Sequence, residues 1–455
     1  MMMLSEATNA MQGTLMGADG RFSSVDFDTR RLQQDALFFA IHGESQNGHK
    51  FIAQATSEQA IAAVADESFA NDASIRHIKV EDTTTALGML ATYWRAQFDL
   101  PVVGITGSNG KTTVTQIVNA IFSEAIPGIA PQGSFNNHWG VPLTLLKLRK
   151  VHQSAVIEMG MNHAGELSYL GSIVKPSIAL ITNAAQAHLE GLKTVQGVAN
   201  AKGEIIDSLD DDGVMILNRD DAFYTQWCKR AGKRIMISFG LHDQADIQLI
   251  KSDMAGVSVK ISGQTQHFSF SLIGQHNRLN AAAAIAVAIA AHVPNEKIKL
   301  GLKKVSAVKG RLQVYSLPQC MLIDDTYNAN QASMRAAVDV LSERAGKAIL
   351  ILGAMGEQGS QSEKAHYEVG QYAKQQGIDY LFCLNELDKP KSATDVMAYQ
   401  QGFGSESKIF SDVAALVEEV NKIQESSLSI LVKGSRFTQM ERVVDAINIK
   451  EAPLC

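Results

Sequence analysis

The sequence predicts an α/β protein of three domains: a small N-terminal α/β domain, a central domain with a mainly parallel sheet, and a Rossmann-like C-terminal domain. Three observations support this prediction. The chain has 455 residues, too many for a single hydrophobic core. Short apolar runs alternate with helical patterns over most of its length, as in parallel sheets covered by helices. A glycine-rich turn also joins one apolar run to the helical pattern that follows it, near residue 107.

The N-terminal domain is predicted to span residues 1–83. Apolar runs at 35–41 and 60–65 are predicted to form strands, and residues 48–59 between them have a helical pattern. This order of strand, helix and strand indicates a small α/β unit with its own sheet.

The central domain is predicted to span residues 84–311. Four short apolar runs in it are predicted to form strands, at 101–105, 155–158, 178–182 and 214–217. In sheets of this kind ligands bind at the carboxyl ends of the strands. We therefore expect a binding site at the glycine-rich turn, Glu158 and the loop after Thr182, because each directly follows a predicted strand.

The C-terminal domain is predicted to span residues 312–455. Its predicted strands lie at 321–324, 348–352, 380–384 and 429–432, with helical patterns between them. This alternation indicates a second doubly wound α/β domain.

The composition is that of an ordinary globular protein, with 45% hydrophobic and 19% charged residues. A net charge of −6 argues against a general nucleic-acid-binding protein. The cysteines at 228, 320, 383 and 455 are far apart, which indicates reduced thiols rather than a disulfide framework or a zinc site. No signal peptide is evident, and the most apolar segment, 281–291, is too short to span a bilayer. We therefore expect a soluble, cytoplasmic protein that does not insert into membranes.

The glycine-rich turn has the properties of an ATP phosphate-binding loop, so the central domain is predicted to be phosphate-loop ATPase-like. Glycines let the backbone bend around an anion, and the start of the next helix offers free N–H groups. Lys111 adds a cation for the outer phosphates, and the Thr112 hydroxyl can bind Mg²⁺. Ile105 stands where the standard Walker pattern has glycine, so an ordinary turn capped by threonine is the alternative. The predicted nucleotide-binding residues are Gly107, Ser108, Asn109, Gly110, Lys111, Thr112 and Thr113.

Three more residues are candidates for metal chemistry, with unequal support. Glu158 ends a predicted strand, where phosphate-loop enzymes place an acid that completes the Mg²⁺ shell, although a solvated strand end would look the same. His188 follows the next strand and could reach a second magnesium ion, but imidazole favours softer metals and a lone histidine is more often structural. Lys202 has no local feature that separates it from a surface cation.

Two further segments are candidate ligand contacts. Asn280 could bond an adenine edge, because its amide combines a donor and an acceptor, while Asn277 in the same segment could cap a helix. Residues 323–330 end a predicted strand with two acids and two asparagines, which indicates either a ligand site or a polar turn.

Taken together and in this order, these segments resemble the Mur ligase family, the ATP-dependent amide-bond ligases of peptidoglycan precursor synthesis. The motifs that carry the resemblance are TGSNGKTT at 106–113, NNHWG at 136–140, EMG at 158–160, AHLE at 187–190, AKGE at 201–204, HNRLN at 276–280 and KGR at 309–311. DTR at 28–30 with LFFAIHGESQNGHKF at 37–51, NNHWGVPLTLL at 136–146, DDTYNANQASM at 324–334 and VKGSR at 432–436 are similar to the member that adds a dipeptide. Thr326 and Gln331 depart from the usual pattern, in which an aromatic residue and a proline are common.

The resemblance implies a ligase that joins D-alanyl-D-alanine to UDP-N-acetylmuramoyl-tripeptide through an acyl phosphate. It implies ATP and two Mg²⁺ as cofactors, the two peptide substrates as partners, and a monomer, with glycine joints near Gly88 and Gly310 as hinges for domain closure. Two kinds of alternative stay open. One is a sibling ligase that adds the third residue, or a folylpolyglutamate synthase. The other is a phosphate-loop nucleotide hydrolase or binding protein without ligase activity.

The resemblance also assigns roles to individual residues. Lys111 would contact the outer phosphates, Thr112 and Glu158 would bind one Mg²⁺, and His188 would bind the second. Lys202 would be carbamylated by CO₂, which turns a cation into a carboxylate-like metal ligand; with Lys111, Glu158 and His188 it forms the implied catalytic set. The adenine, phosphate and ribose contacts would be Asn280, Arg311 and Asp325. The substrate contacts would be Thr29, Arg30, Asn136, Asn137, Asn328, Asn330, Lys433, Ser435 and Arg436.

Overall fold

Three β-sheets, one in each third of the chain, organise the molecule. The computed structural model describes residues 1–43, 46–69, 74–131, 133–187, 189–253, 256–318, 320–385, 393–423, 425 and 427–451. The sheets lie within residues 14–79, 102–269 and 313–433. The predicted fold class, an α/β protein with three sheet-containing regions, is confirmed, while the domain boundaries at 83/84 and 311/312 stay predictions.

The N-terminal sheet has five short strands. They are β1 (Thr14–Met16), β2 (Val25–Asp26), β3 (Ala36–Phe39), β4 (Ala60–Ala65) and β5 (His77–Lys79), with helices α1 (Leu4–Ala10) and α2 (Ile52–Glu58). The strand order is β1-β5-β4-β3-β2, and all pairs are parallel except β1 with β5. The predicted strands at 35–41 and 60–65 correspond to β3 and β4. The predicted helix at 48–59 corresponds to a 3₁₀ turn, Gly48–Phe51, followed by α2.

The central sheet has eight strands. They are β6 (Val102–Thr106), β7 (Ala155–Glu158), β8 (Ile178–Ile181), β9 (Val214–Asn218), β10 (Ile235–Gly240), β11 (Ile247–Asp253), β12 (Gly256–Ile261) and β13 (Gln264–Ser269). The order is β13-β12-β11-β10-β9-β8-β6-β7, parallel from β7 to β11. The antiparallel hairpins that join β11, β12 and β13 were not predicted. In β13 most side chains are at least partly exposed, so this edge lacks the continuous apolar run by which the buried strands were predicted.

Helices cover both faces of the central sheet. They are α3 (Thr83–Arg95), α4 (Lys111–Ser123), α5 (Gly140–Leu145), α6 (Glu166–Val174), α7 (Leu189–Leu192), α8 (Val195–Lys202), α9 (Glu204–Asp207), α10 (Tyr224–Ala231), α11 (Gln275–Ala290) and α12 (Asn295–Lys303). Every residue of α11 from 280 to 288 is buried, and six of these nine residues are alanines, at 281–284, 286 and 288. Small side chains allow this helix to approach α4 and the sheet closely.

Two predictions about single residues in these helices were wrong. Gly88 lies inside α3, where an added Cβ would come within 2.3 Å of the Tyr169 hydroxyl, so this glycine serves close helix packing and is not a joint. Asn277 does not cap α11, because that helix begins after Gly274 and the Asn277 amide donates to the Ile273 carbonyl instead. Gly310 has φ +74°, a conformation that favours glycine, just before the C-terminal sheet begins.

The C-terminal sheet has six strands with helices on both faces. The strands are β14 (Gln313–Ser316), β15 (Cys320–Asp325), β16 (Lys347–Leu352), β17 (Tyr380–Leu384), β18 (Ser407–Phe410) and β19 (Leu428–Lys433). The helices are α13 (Gln331–Ser342), α14 (Ser362–Gln375), α15 (Ala393–Phe403), α16 (Val413–Asn421) and α17 (Glu441–Glu451). The order is β14-β15-β19-β16-β17-β18, and only β14 is antiparallel to its neighbour. One apolar core lies on each face of this sheet, which confirms the doubly wound prediction.

The cysteine and membrane predictions can be compared with the described residues. Cys228, Cys320 and Cys383 form no disulfide with another of the described residues, and Cys455 lies outside them. In the described part of the chain, none of the helices combines the length and the apolar character that a bilayer span requires.

Candidate active site

Strand ends from the central and C-terminal domains open into one cleft of about 930 Å³. The carboxyl ends of β6, β7 and β8 lie on one side of it, and those of β15 and β19 lie on the other. This is the edge at which the sequence predicted a binding site. The predicted site residues that line the cleft are Ser108, Asn109, Gly110, Lys111, Thr112, Thr113, Asn136, Glu158, Asn280, Arg311, Asp325, Asn328, Asn330, Lys433, Ser435 and Arg436.

The turn between β6 and α4 requires glycine at two positions. Gly107 has φ +152° and Gly110 has φ +84°, both in the region that side chains disfavour. A Cβ at Gly107 would lie 1.7 Å from the Thr182 hydroxyl, and one at Gly110 would lie 2.5 Å from Asn280 Oδ1. The backbone of this turn is therefore in direct contact with β8 and α11.

Asn183 holds the same turn from the end of β8. Its carbonyl accepts the Ser108 N–H at 2.9 Å, and its Oδ1 accepts the Asn109 N–H at 3.0 Å. Both bonds fix the backbone of the predicted phosphate loop before any ligand binds.

Lys111 is the first residue of α4 and is partly buried over the turn. Its ammonium group donates to the Gly107 carbonyl at 2.6 Å. Burial lowers the pKa of Lys111 from its ordinary value; Glu158 opposes this shift and Arg311 adds to it. The side chain therefore places a cation at the helix N-terminus, where an anion is favoured.

Glu158 and Thr112 supply oxygen atoms that fit a magnesium ion. Glu158 is 1% exposed, and its Oε1 accepts from the Asn136 amide at 2.7 Å. Its Oε2 is buried and has no hydrogen-bond partner among the described residues. The Thr112 hydroxyl lines the same cleft and accepts from Arg311 Nη2 at 2.9 Å. A buried carboxylate oxygen without a partner beside a hydroxyl is the donor set that Mg²⁺ prefers.

Lys202 ends α8 and is 1% exposed, so the interpretation of this residue as a surface cation was wrong. No hydrogen bond or ion pair joins its ammonium group to another of the described residues. Burial, and then the positive charge of Lys111, hold the pKa of Lys202 well below its ordinary value. Burial that disfavours the charged form of the amine favours its nucleophilic form, which is the form that carbamylation by CO₂ requires.

Charged side chains from the end of the central domain and from the C-terminal sheet line the cleft together. The Arg311 guanidinium lies 4.2 Å from the centre of the Tyr327 ring. Lys433 is 3% exposed and donates to Asp325 Oδ2 at 2.5 Å and to the Asn328 carbonyl at 2.9 Å. Lys433 therefore ties the ends of β15 and β19 together, and its charge is compensated by Asp325.

Asn330 bonds to both domains. Its Oδ1 accepts the Ser333 N–H at 2.9 Å and so caps α13, while its Nδ2 donates to Asn109 Oδ1 on the phosphate loop at 2.8 Å. Nearby, the buried Ser435 hydroxyl donates to the Ala329 carbonyl at 3.1 Å and accepts the Gly356 N–H at 2.8 Å. These hydrogen bonds hold the cap of α13, the turn between β6 and α4 and the loop after β16 in one arrangement.

The two residues that depart from the family pattern are accommodated. The Thr326 hydroxyl is buried and donates to Asp324 Oδ1 at 2.6 Å. Gln331 begins α13, and its amide donates to Glu368 Oε2 at 2.6 Å. Each polar group has a partner in this chain.

Several predicted site residues lie elsewhere. Asn137 Oδ1 accepts the N–H groups of Trp139 and Gly140 at 3.2 and 2.9 Å, so it stabilises the start of α5. Thr29 and Arg30 lie in a short 3₁₀ turn of the N-terminal domain, where Arg30 is paired with Asp28 and its side chain is 86% exposed. Gly107 and Lys202 are beside the cleft but do not line it. His188 lies outside the described residues.

Among the cleft residues that were not named as site residues, three bear on its geometry, although Asn183 lies in the predicted loop after Thr182 and Tyr327 in the predicted segment 323–330. Asn183 fixes the phosphate loop, Tyr327 supports Arg311, and Glu357, with φ +60°, lines the cleft. The position directly after a strand was an available signal for Asn183. For Glu357, the glycine-rich loop after β16 was the corresponding signal.

Three family models of Mur ligase domains together match most of the chain. The Mur ligase family, catalytic domain, matches residues 21–95. The Mur ligase middle domain matches residues 105–288. The Mur ligase, glutamate ligase domain, matches residues 310–436.

Similar proteins extend over nearly the whole chain. The UDP-N-acetylmuramoyl-tripeptide--D-alanyl-D-alanine ligase of Escherichia coli strain K12 is 36% identical over 458 residues, which cover 98% of each chain. A crystal structure of MurF from Acinetobacter baumannii aligns with a TM-score of 0.89 and 32% identity over 97% of this chain and 98% of that one. The MurF ligase of Thermotoga maritima, crystallised in complex with ADP, has the same fold, with a TM-score of 0.82 and 24% identity over 94% and 97% of the two chains.

Proposed function

Since the chain belongs to the Mur ligase family, we propose that it is an ATP-dependent ligase that joins D-alanyl-D-alanine to UDP-N-acetylmuramoyl-tripeptide. The observation that carries the proposal is the cleft between two domains, where a phosphate loop faces a polar cluster on a separate substrate domain. A chain 36% identical to a ligase of that name over 98% of its length supports the choice of substrates.

The reaction converts ATP, the tripeptide substrate and the dipeptide into ADP, phosphate and UDP-N-acetylmuramoyl-pentapeptide. A carboxylate is a poor acyl donor, because oxide is a poor leaving group. Transfer of the γ-phosphoryl group to the tripeptide carboxylate forms an acyl phosphate. The dipeptide amine then attacks the acyl carbon, the C–O bond breaks, phosphate leaves, and the amine releases a proton.

The phosphate loop has the groups needed for the first step. Two anions must approach each other, so positive charge is needed to offset their repulsion. Lys111 and the N–H groups at the start of α4 provide it on the protein side. Thr112 and Glu158 would hold Mg²⁺, which supplies further positive charge on the phosphates when it is bound.

Lys202 is proposed to act in its carbamylated form. The buried amine, whose charged form burial disfavours, would add to CO₂, release a proton and become an anionic carbamate near Lys111. The negative charge of the carbamate would offset the positive charge of the Lys111 ammonium group. The carbamate would then help to hold a second Mg²⁺ together with His188, as the family resemblance implies.

The remaining residues are proposed to position the substrates. Asn280, Arg311 and Asp325 line the part of the cleft beside the loop, as nucleotide contacts would. The C-terminal group consisting of Asn328, Ser435 and Arg436 would lie along the path of the dipeptide. Thr29 and Arg30 would contact the UDP end from the N-terminal domain. We further propose that the protein acts as a monomer in the cytoplasm.

The first experiment is to measure ADP release by the purified protein with ATP, Mg²⁺ and UDP-N-acetylmuramoyl-tripeptide, with and without D-alanyl-D-alanine. We expect ADP release that depends on the dipeptide and a product with the mass of the pentapeptide. ADP release that is indifferent to the dipeptide would instead identify a nucleotide hydrolase. Release that requires a single amino acid would identify a sibling ligase or a folylpolyglutamate synthase.

A further inference from the structure

Two histidines and one aspartate meet in the N-terminal domain, and none of them lines the cleft. Asp66 directly follows β4, and His42 follows β3 by three residues. Since β3 and β4 are parallel neighbours, their carboxyl ends meet at one edge, which is where such sheets bind ligands. His49 reaches the same point from the 3₁₀ turn Gly48–Phe51.

The nitrogen and oxygen atoms of this cluster are close enough to share an ion. His42 Nε2 lies 2.9 Å from Asp66 Oδ2, and His49 Nε2 lies 3.3 Å from Asp66 Oδ1. The two imidazole rings stack with their centres 4.5 Å apart. Ligands bound tetrahedrally at about 2.0–2.1 Å from zinc are about 3.3 Å from one another, which is close to the spacing found here.

Outer hydrogen bonds orient two of the three groups. Asn47 Oδ1 lies 2.9 Å from His49 Nδ1 and accepts from it, so the lone pair of His49 is on Nε2 and faces the cluster. Ser68 donates to Asp66 Oδ1 through its N–H at 2.9 Å and its hydroxyl at 2.6 Å. Partners of this kind fix the ligands of protein metal sites. His49 Nε2 accepts the Asp66 N–H at 3.2 Å, a long bond that an ion would replace.

We propose that His42, His49 and Asp66 form a binding site for a divalent transition-metal ion of the Zn²⁺ class. Two imidazoles and one carboxylate suit zinc and disfavour magnesium, so the site is chemically distinct from the oxygen donors of the cleft. The three groups leave a fourth position of the ion for water or another oxygen ligand. A bound ion would tie the segment after β3 to the end of β4.

The test is a Zn²⁺ titration of the full-length, chelator-treated protein by calorimetry, with His42→Ala as the main variant. Because the His42 side chain is 46% exposed, this variant is expected to fold normally. His242→Ala is the matched control, since His242 is 45% exposed and lies 3.0 Å from the carboxylate of Asp243. We expect the wild type and His242→Ala to bind one Zn²⁺ more per chain than His42→Ala does. Excess MgCl₂ should not displace this ion.

Two more measurements complete the test. Asn47→Ala removes the outer partner of His49 and the cap of the turn Gly48–Phe51 but no proposed ligand, so it should weaken Zn²⁺ binding by roughly 10- to 100-fold without removing the site. Co²⁺ added in place of Zn²⁺ should give a visible absorption band in the wild type that is lost in His42→Ala. Equal Zn²⁺ stoichiometry and affinity in the wild type and His42→Ala would overturn the proposal and identify the cluster as a hydrogen-bond network only. Displacement of Zn²⁺ by Mg²⁺ would overturn the assigned class of ion.

Discussion

At the scale of single residues, burial distinguishes the polar groups that carry chemistry from those that only face solvent. Glu158 and Lys202 are each 1% exposed. A buried polar atom without a partner costs about 1–3 kcal/mol, so the free Oε2 of Glu158 is favourable only if a ligand satisfies it. Arg30, in contrast, is 86% exposed and paired with Asp28, so any role in binding depends on a ligand reaching it.

Replacement of Lys111 tests the phosphate-loop assignment. We expect Lys111→Ala to lower kcat by at least about 100-fold, because the cation that offsets the phosphate charge is removed. The measurement is dipeptide-dependent ADP release at saturating ATP. Lys303→Ala is the control, since it removes an exposed lysine from α12. Ligation by Lys111→Ala at the wild-type rate would contradict the assignment.

Replacement of Lys202 tests the carbamate. We expect Lys202→Ala to lose activity, and added bicarbonate or a short carboxylic acid to restore part of it, since either can supply the missing anion. Labelled CO₂ should also give a carbamate carbon signal by NMR in the wild type and none in the variant. Full activity of Lys202→Ala without any additive would rule out this role.

At the scale of elements, close packing behind the phosphate loop positions α4. Gly301 on α12 lies against the backbone of α4, and an added Cβ would come within 2.4 Å of the Ile121 Cα atom. On the other side, the alanine-rich α11 also contacts α4. The helix α4, which begins with Lys111 and Thr112, is thus packed against small residues on two neighbouring helices.

Gly301→Ala should push α12 away from α4. Alanine favours a helix over glycine by about 1 kcal/mol, but overpacking against backbone costs about 1–3 kcal/mol or more. We therefore expect a net loss of about 1–2 kcal/mol in the free energy of unfolding, together with a raised KM for ATP. Urea unfolding and steady-state kinetics measure the two effects, with Lys303→Ala on the same helix as control. A variant more stable than the wild type would show that α12 adjusts without cost.

At the scale of the whole molecule, hydrogen bonds join the central part of the chain to the N-terminal part and to the C-terminal part. Arg149 Nη2 donates to the Ser23 carbonyl at 2.9 Å and joins the central part to the N-terminal part. On the other side, Asn330 Nδ2 reaches Asn109 at 2.8 Å. A site assembled from separate domains can close over a reactive acyl phosphate and exclude water from it.

Two variants of Asn330 separate its local and long-range roles. Asn330→Ala loses both the cap of α13 and the bond to Asn109, so we expect a loss of about 1 kcal/mol in stability and a raised KM for ATP. Asn330→Ser keeps a capping hydroxyl but is too short to reach Asn109. It should therefore unfold near the wild-type temperature and still have the raised KM. Wild-type kinetics in Asn330→Ser would show that the bond between the domains does not support catalysis.

The success of the sequence predictions followed the strength of each local signal. β7 and β17 have the predicted bounds, because their continuous apolar runs are typical of buried parallel strands. β13 was missed, because most side chains of this edge strand are polar and at least partly exposed. Among the predicted site residues, Lys111 was predicted from the glycine-rich turn and Glu158 from a strand end, whereas Lys202 needed the family resemblance, since a lysine inside a short helix has no local signal of burial.

The sequence by itself determined the three α/β units, the glycine-rich turn between β6 and α4, and the family, because these depend on residue patterns within short segments. Only the tertiary structure decided that Lys202 is buried beside Lys111, that Asn183 fixes the loop, and that Asn330 bonds to the opposite domain. The physical reason is that burial, charge coupling and hydrogen bonding between distant residues depend on the distances between them. Those distances are set when the sheets pack together, and no local pattern in the chain encodes them.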